Sequence, residues 1–164
     1  MAAIGTLTTR KVIGILTADT GLPASVAQVA AEQGTSVAVF STQQLMPQNV
    51  APELLERSAG AKYPMVQVYC GKLTNALREK FREFSGDAQM IAEIRVSQDR
   101  IEGIESAVQL YADAMSQVLD RSRGDWGDGV FYGGGYEISY GPVKSGGKNF
   151  IQIAKISFVL QISS

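Results

Sequence analysis

Few side chains in this sequence are placed to do chemistry. Asp125-Trp-Gly-Asp128-Gly129 sets two carboxylates three positions apart in a turn-rich stretch, and carboxylate oxygens are the donors a hard cation would use. A calcium loop needs more oxygen ligands and a distal Glu at fixed spacing, and none is aligned here, so ordinary Asp-Gly turn usage is the simpler reading. Gly133-Gly134-Gly135, after Gly127 and Gly129, could ring an anion with bare backbone N–H groups. These glycines run into a strand instead of opening a helix and match neither phosphate-loop nor dinucleotide spacing, which leaves turns and bulges. Cys70, the one thiol, closes a β-patterned run and is expected as a small buried apolar side chain. Histidine is absent, removing the commonest general base near neutral pH and any Ser-His or Cys-His couple. No catalytic, cofactor-binding or metal-binding residue is assigned, and the expectation is a protein that is not an enzyme.

Two stretches are better suited to contact than to catalysis. Lys72, Arg78, Lys80 and Arg82 form a local basic run beside Phe81 and Phe84. Glu79, Glu83 and Asp87 weaken its field, and the whole chain carries 15 basic and 16 acidic side chains for a net charge of −1. That balance disfavours nucleic acid as the main partner and favours a protein contact. Phe81 and Phe84, three apart, would share one face of a short helix. The second stretch is the aromatic and glycine-rich loop holding Trp126, Tyr132 and Tyr136. Lys144 and Lys148 flank Ser145-Gly-Gly147 as solvated tips of a hairpin connection.

The elements that must position these residues follow from periodicity. Residues 7–18 predict a short helix, and a second begins at Pro23, favoured in a first helical turn, and ends at Gln33-Gly34. A short strand is expected over 37–40, then a surface connection over 41–60 with one short helix at 53–57. Residues 63–70 and 88–97 predict strands, the latter with Met90, Ala92, Ile94 and Val96 on one face. The 71–87 stretch between them is expected as a long polar excursion, mobile or functional. Ile101, Ile104, Val108, Tyr111, Met115 and Val118 form an apolar stripe along a helix over 100–120. Two closing strands follow, the last with Ala154, Ile156, Phe158, Leu160 and Ile162 on one face. The expected fold is α+β, a mainly antiparallel sheet of about four strands with helices packed on one face, in a single domain over 1–164. No apolar run is long enough for an export signal or a membrane span, and a lone cysteine fits a reducing compartment.

With Tyr63-Pro-Met-Val-Gln-Val, Ile91-Ala-Glu-Ile-Arg-Val96, a long helix, Trp126, Tyr136-Glu-Ile-Ser-Tyr140 and a last amphipathic strand, the sequence resembles the tail terminator, or tail completion, proteins of long-tailed bacteriophages. Ile15-Leu-Thr-Ala-Asp-Thr-Gly-Leu22 is similar to openings in that family. The resemblance implies a virion protein assembled in the host cytoplasm, a homo-oligomeric ring usually of six. The ring would cap the tail tube protein and dock the head-completion or connector protein, with DNA passing through and no sequence-specific binding. It also implies no cofactor and no membrane partner. On that reading Lys72, Arg78, Lys80, Phe81, Arg82, Phe84, Trp126, Tyr132 and Tyr136 are the candidate subunit or partner contacts. Two alternatives stay open: another head-tail connector such as a neck or adaptor protein, and a soluble ligand-binding α+β domain.

Overall fold

The computed structural model describes residues 3–56 and 62–164. Helix α1 spans Ile4–Leu16 and buries Ile4, Thr8, Val12 and Leu16, one residue per turn along a single stripe. Helix α2, Leu22–Glu32, has its proline in the first turn and buries Leu22, Val26, Val29 and Ala30. A 3₁₀ turn at Thr42–Gln44, a two-residue strand β1 (Leu45–Met46) and helix α3 (Pro52–Glu56) occupy the predicted connection. The end of the helix expected over 53–57 lies outside the described residues. Strands β2 (Met65–Asn75) and β3 (Ser85–Gln98) precede helix α4 (Ile104–Arg121), and β4 (Gly124–Gly127), β5 (Val130–Tyr132), β6 (Glu137–Tyr140), β7 (Lys144–Gly146) and β8 (Asn149–Ser163) complete the chain.

The expectation of about four mainly antiparallel strands is wrong. All eight strands join one mixed sheet in the order β1-β2-β3-β8-β5-β4, with β6 and β7 also on β8, and β1 runs parallel to β2. The reason is the length of β8. Fifteen residues at about 3.3 Å each make a strand of roughly 50 Å. One edge is matched residue for residue by β3, from Ser85↔Ser163 to Gln98↔Phe150. The other edge is divided among three short strands, β7 at Asn149–Ile151, β6 at Ala154–Ser157 and β5 at Gln161–Ile162. The aromatic and glycine-rich stretch supplies them, because its turns break it every few residues.

The 71–87 stretch is also corrected, since most of it continues the ladder. β2 runs on to Asn75 across a bulge at Gly71, and β3 begins at Ser85. A side chain at Gly71 would come within 2.9 Å of the Ile91 Cδ1 tip, which would have to move aside. Only 76–84 remain as a loop, and no helix forms in it. The strand expected over 37–40 does not form: these residues carry no regular structure and pair with no described strand. The α4 stripe begins at Ile104, not Ile101: Gly103 turns the chain at φ 83° and leaves Ile101 55% exposed.

Helices α1 and α4 cover the sheet face carrying Val66, Val68, Met90, Ala92, Ile94, Ala154 and Ile156, all fully buried, and α2 packs on α4. The sequence predicts the helices on one face, and α3 departs from that. Residues 47–56, ending in α3, cross the opposite face as a strap that bonds β2 at one side and packs on β7 at the other.

Candidate subunit-contact site

The face crossed by the strap carries charge. Glu93 and Arg95 alternate with the apolar core residues of β3, which points them to the outer face, yet they are 5% and 2% exposed. Arg95 Nη2 lies 2.6 Å from Glu93 Oε2, Lys155 Nζ of β8 lies 3.3 Å from Glu93 Oε1, and the Tyr69 hydroxyl donates to that same oxygen at 3.1 Å. Burial opposes ionisation of Glu93, but the Arg95 bond and charge, joined by Lys155, outweigh it and hold the carboxyl below its ordinary range. Desolvation first, then the Glu93 charge, pushes the Tyr69 hydroxyl up to about 12. Gln67, directly opposite Glu93 in β2, accepts from the Val50 N–H at 2.9 Å and so ties strap to sheet. Among the described residues, Arg95 Nε and Nη1 and Gln67 Nε2 find no acceptor. This cluster went unread because alternation assigns outward charges to water.

Loop 76–84 is tightly built. The Asn75 side chain bonds Leu77 N–H, Ser85 N–H and the Glu83 carbonyl, and Ser85 Oγ accepts from Glu79 N–H at 3.0 Å. Arg78 grips Asp87 with two bonds of 3.0 and 2.7 Å, Arg82 lies 3.5 Å from Glu79, and the Ser163 hydroxyl donates to Glu79. Within this frame Leu77 and Phe81 adopt φ of 48° and 65°, a region L-residues avoid, and their side chains are 65% and 103% exposed. Phe84 does the opposite: backbone bonds to and from Ser164 hold it, and it is buried. The two phenylalanines therefore share no face.

The remaining candidate residues divide in the same way. Lys72, Lys80, Arg78 and Arg82 are exposed on or near the loop. Trp126 is half-buried, its indole N–H donating to the Ser122 carbonyl at 2.6 Å, and it stacks at a tilt on buried Tyr132, which meets Phe158 edge-on at 5.6 Å. Tyr136, half-buried, reaches Asp120 at 3.4 Å. Much of this loop's aromatic surface is taken up within the subunit.

The chemistry weighed in the sequence is absorbed locally. Lys11 pairs with Asp128 at 2.8 Å and holds that carboxyl below its usual range, while Asp125 caps the Gly127 N–H at 2.8 Å. Cys70 is half-buried, with burial pushing its thiol up. No described helix is long and apolar enough to cross a membrane.

A surface feature that sequence reasoning missed lies at the far end of the strands. The 35–38 segment, the end of β3 and the start of α4 enclose a groove of about 560 Å³, lined by Val37, Ala38, Pro64, Val96, Leu110 and Tyr111 among others. Tyr111 forms its floor, pinned by a 2.6 Å bond to the Ala38 carbonyl and an edge-on contact with Phe40 at 4.8 Å. The signal was the strand-like Val37-Ala-Val-Phe40 itself, which finds no ladder.

The chain matches no family model and no curated protein.

Proposed function

We propose that this chain is a structural subunit that assembles with copies of itself, as a tail terminator ring of a long-tailed phage. In that role the ring, usually of six, caps the tail tube, offers the head connector a docking surface and lets DNA pass without reading its sequence. The virion is then its place of action, and no turnover is expected of it. The observation that supports an assembly role is the 76–84 loop. A soluble monomer gains nothing from holding Leu77 and Phe81 in left-handed backbone at about 1–2 kcal/mol each while leaving both side chains in water. A contact that buries them offsets that strain. Reconstruction of the particle tests the reading. Six copies between tube and connector are expected, a twelve-copy ring on the portal would reassign the chain as an adaptor, and absence from the particle would remove both.

A further inference from the structure

The two ends of the long strands differ in both shape and charge. β3 holds 14 residues, about 45 Å at 3.3 Å each, with the 76–84 loop at its Ser85 end and the Tyr111 groove at its Gln98 end. The loop end is a knob: Phe81 and Leu77 project from a braced turn whose five charges, Arg78, Lys80 and Arg82 against Glu79 and Glu83, leave it net positive. The groove end is a hollow with an acidic rim. Glu32, Asp99, Glu102 and Glu105, all exposed, each stand next in sequence to a lining residue, Gln33, Gln98, Gly103 or Ser106. Among the described residues, the cations nearest these in sequence are Lys62 and Arg100, so four carboxylates stand against two cations. The backbone of 36–40 also lacks a ladder partner among the described strands.

We propose that these ends meet between copies: the loop of one chain seats Phe81 and Leu77 in the groove of the next, with Lys80 and Arg82 against Glu102 and Glu105. Knob and hollow lie at opposite ends of one subunit, so the contact is heterologous, and it propagates head to tail until the rotation per step closes a ring. A second copy is the occupant because one chain carries both halves, opposite in charge sign, with Val37 and Ala38 as accessible apolar lining in a groove that is otherwise largely polar. The inference rests on the self-assembly reading above and assigns the contact within it.

The test uses the full chain with Cys70→Ser as background. A Lys80→Cys, Glu102→Cys chain, which keeps Phe81 and Leu77, should give a ladder of disulfide-linked oligomers under mild oxidation, whereas either cysteine alone should give no more than dimers. Sedimentation should show Lys80→Glu, Arg82→Glu weakening self-association about 10-fold or more, with recovery when Glu102→Lys, Glu105→Lys is added. Self-association without the ladder would overturn this contact and leave the ring reading standing. A chain that stays monomeric to about 1 mM, a free energy of association weaker than roughly −4 kcal/mol, would also overturn it. The ring reading would then be judged by the particle alone, where the tube can template assembly.

Discussion

One sheet has two faces, and they are made on different principles. The face under α1 and α4 is apolar from Val66 to Ile156 and needs nothing but close packing. The outer face buries Glu93, Arg95 and Gln67, the last tied to Val50 of the 47–56 strap, and among the described residues tolerates three donors without acceptors. The difference is one of robustness. An apolar face loses in proportion to what is cut away, whereas a buried ion cluster is neutral or costly as a whole yet fails sharply when one member is removed.

The largest effect that would break this comparison belongs to the helix face. Met115→Asp places an unpaired carboxylate at a fully buried position of α4, and Ile104→Asp does the same at its first residue. Each should cost about 3–5 kcal/mol or more, a large part of a small domain's stability, and abolish cooperative melting followed by circular dichroism. A soluble Met115→Asp variant with an unchanged melt would mean that α4 does not pack where it is placed.

Next comes the outer face. Arg95→Met leaves Glu93 buried with only the half-exposed Lys155 to balance it, and should lose about 3–5 kcal/mol in urea unfolding. Adding Glu93→Gln should recover most of that loss, because the apolar replacement then has no charge to strand. A double variant no better than Arg95→Met would show that the arginine acts by packing alone.

The helix face was legible in the sequence and the outer face was not. Met90, Ala92, Ile94 and Val96, the alternation from Ala154 to Ile162, and the α4 stripe from Ile104 all bury as their periods require. Local spacing suffices there, since each element faces a neighbour of the same kind. Glu93 and Arg95 alternate just as regularly, and the rule sends them to water. Their burial goes with partners on other strands, Tyr69 on β2 and Lys155 on β8, which no local pattern announces. The same limit hid the sharing of β8 by three strands and the continuation of β2 past Gly71. Phe81 and Phe84 looked like one face at helical spacing. The hairpin separates them because Phe84 sits at the ladder's end, bonded to Ser164, while Phe81 sits in the turn. Of the contact candidates, the cations and Phe81 are exposed, whereas Phe84 and Tyr132 are buried.

A smaller effect sharpens the contrast through pH. Glu93 titrates below its unfolded value because Arg95 and Lys155 favour the carboxylate more than burial disfavours it. Such a group contributes stability that is fully present above the unfolded carboxyl value, about 4.3, and is lost as pH falls through the folded one. The exposed Asp128 beside Lys11 shifts the same way, so a single melting curve would mix the two. The difference in stability between the native chain and Glu93→Gln isolates the buried group. It should stay level from pH 8 to about 5 and shrink below about 4. A difference that stays level to pH 2 would mean that Glu93 gains nothing from its partners in the fold.

The smallest effect on the fold should be the largest on assembly, and it extends the comparison to the loop that neither face contains. Phe81 touches no core residue and holds φ at 65°, where glycine sits without strain. Phe81→Gly should therefore leave unfolding free energy unchanged or raise it, by up to about 1 kcal/mol, since relief of the left-handed strain is partly offset by the greater freedom of glycine in the unfolded chain. Phe84→Gly, three residues on, removes a buried ring and should cost about 3–5 kcal/mol. The same Phe81→Gly chain should lose self-association measured by sedimentation, because the apolar knob is gone while the cations remain. Stability retained with association lost would separate a side chain kept for a neighbour from one kept for the core. A Phe81→Gly chain destabilised as much as Phe84→Gly would place Phe81 inside the subunit and leave the loop without its contact.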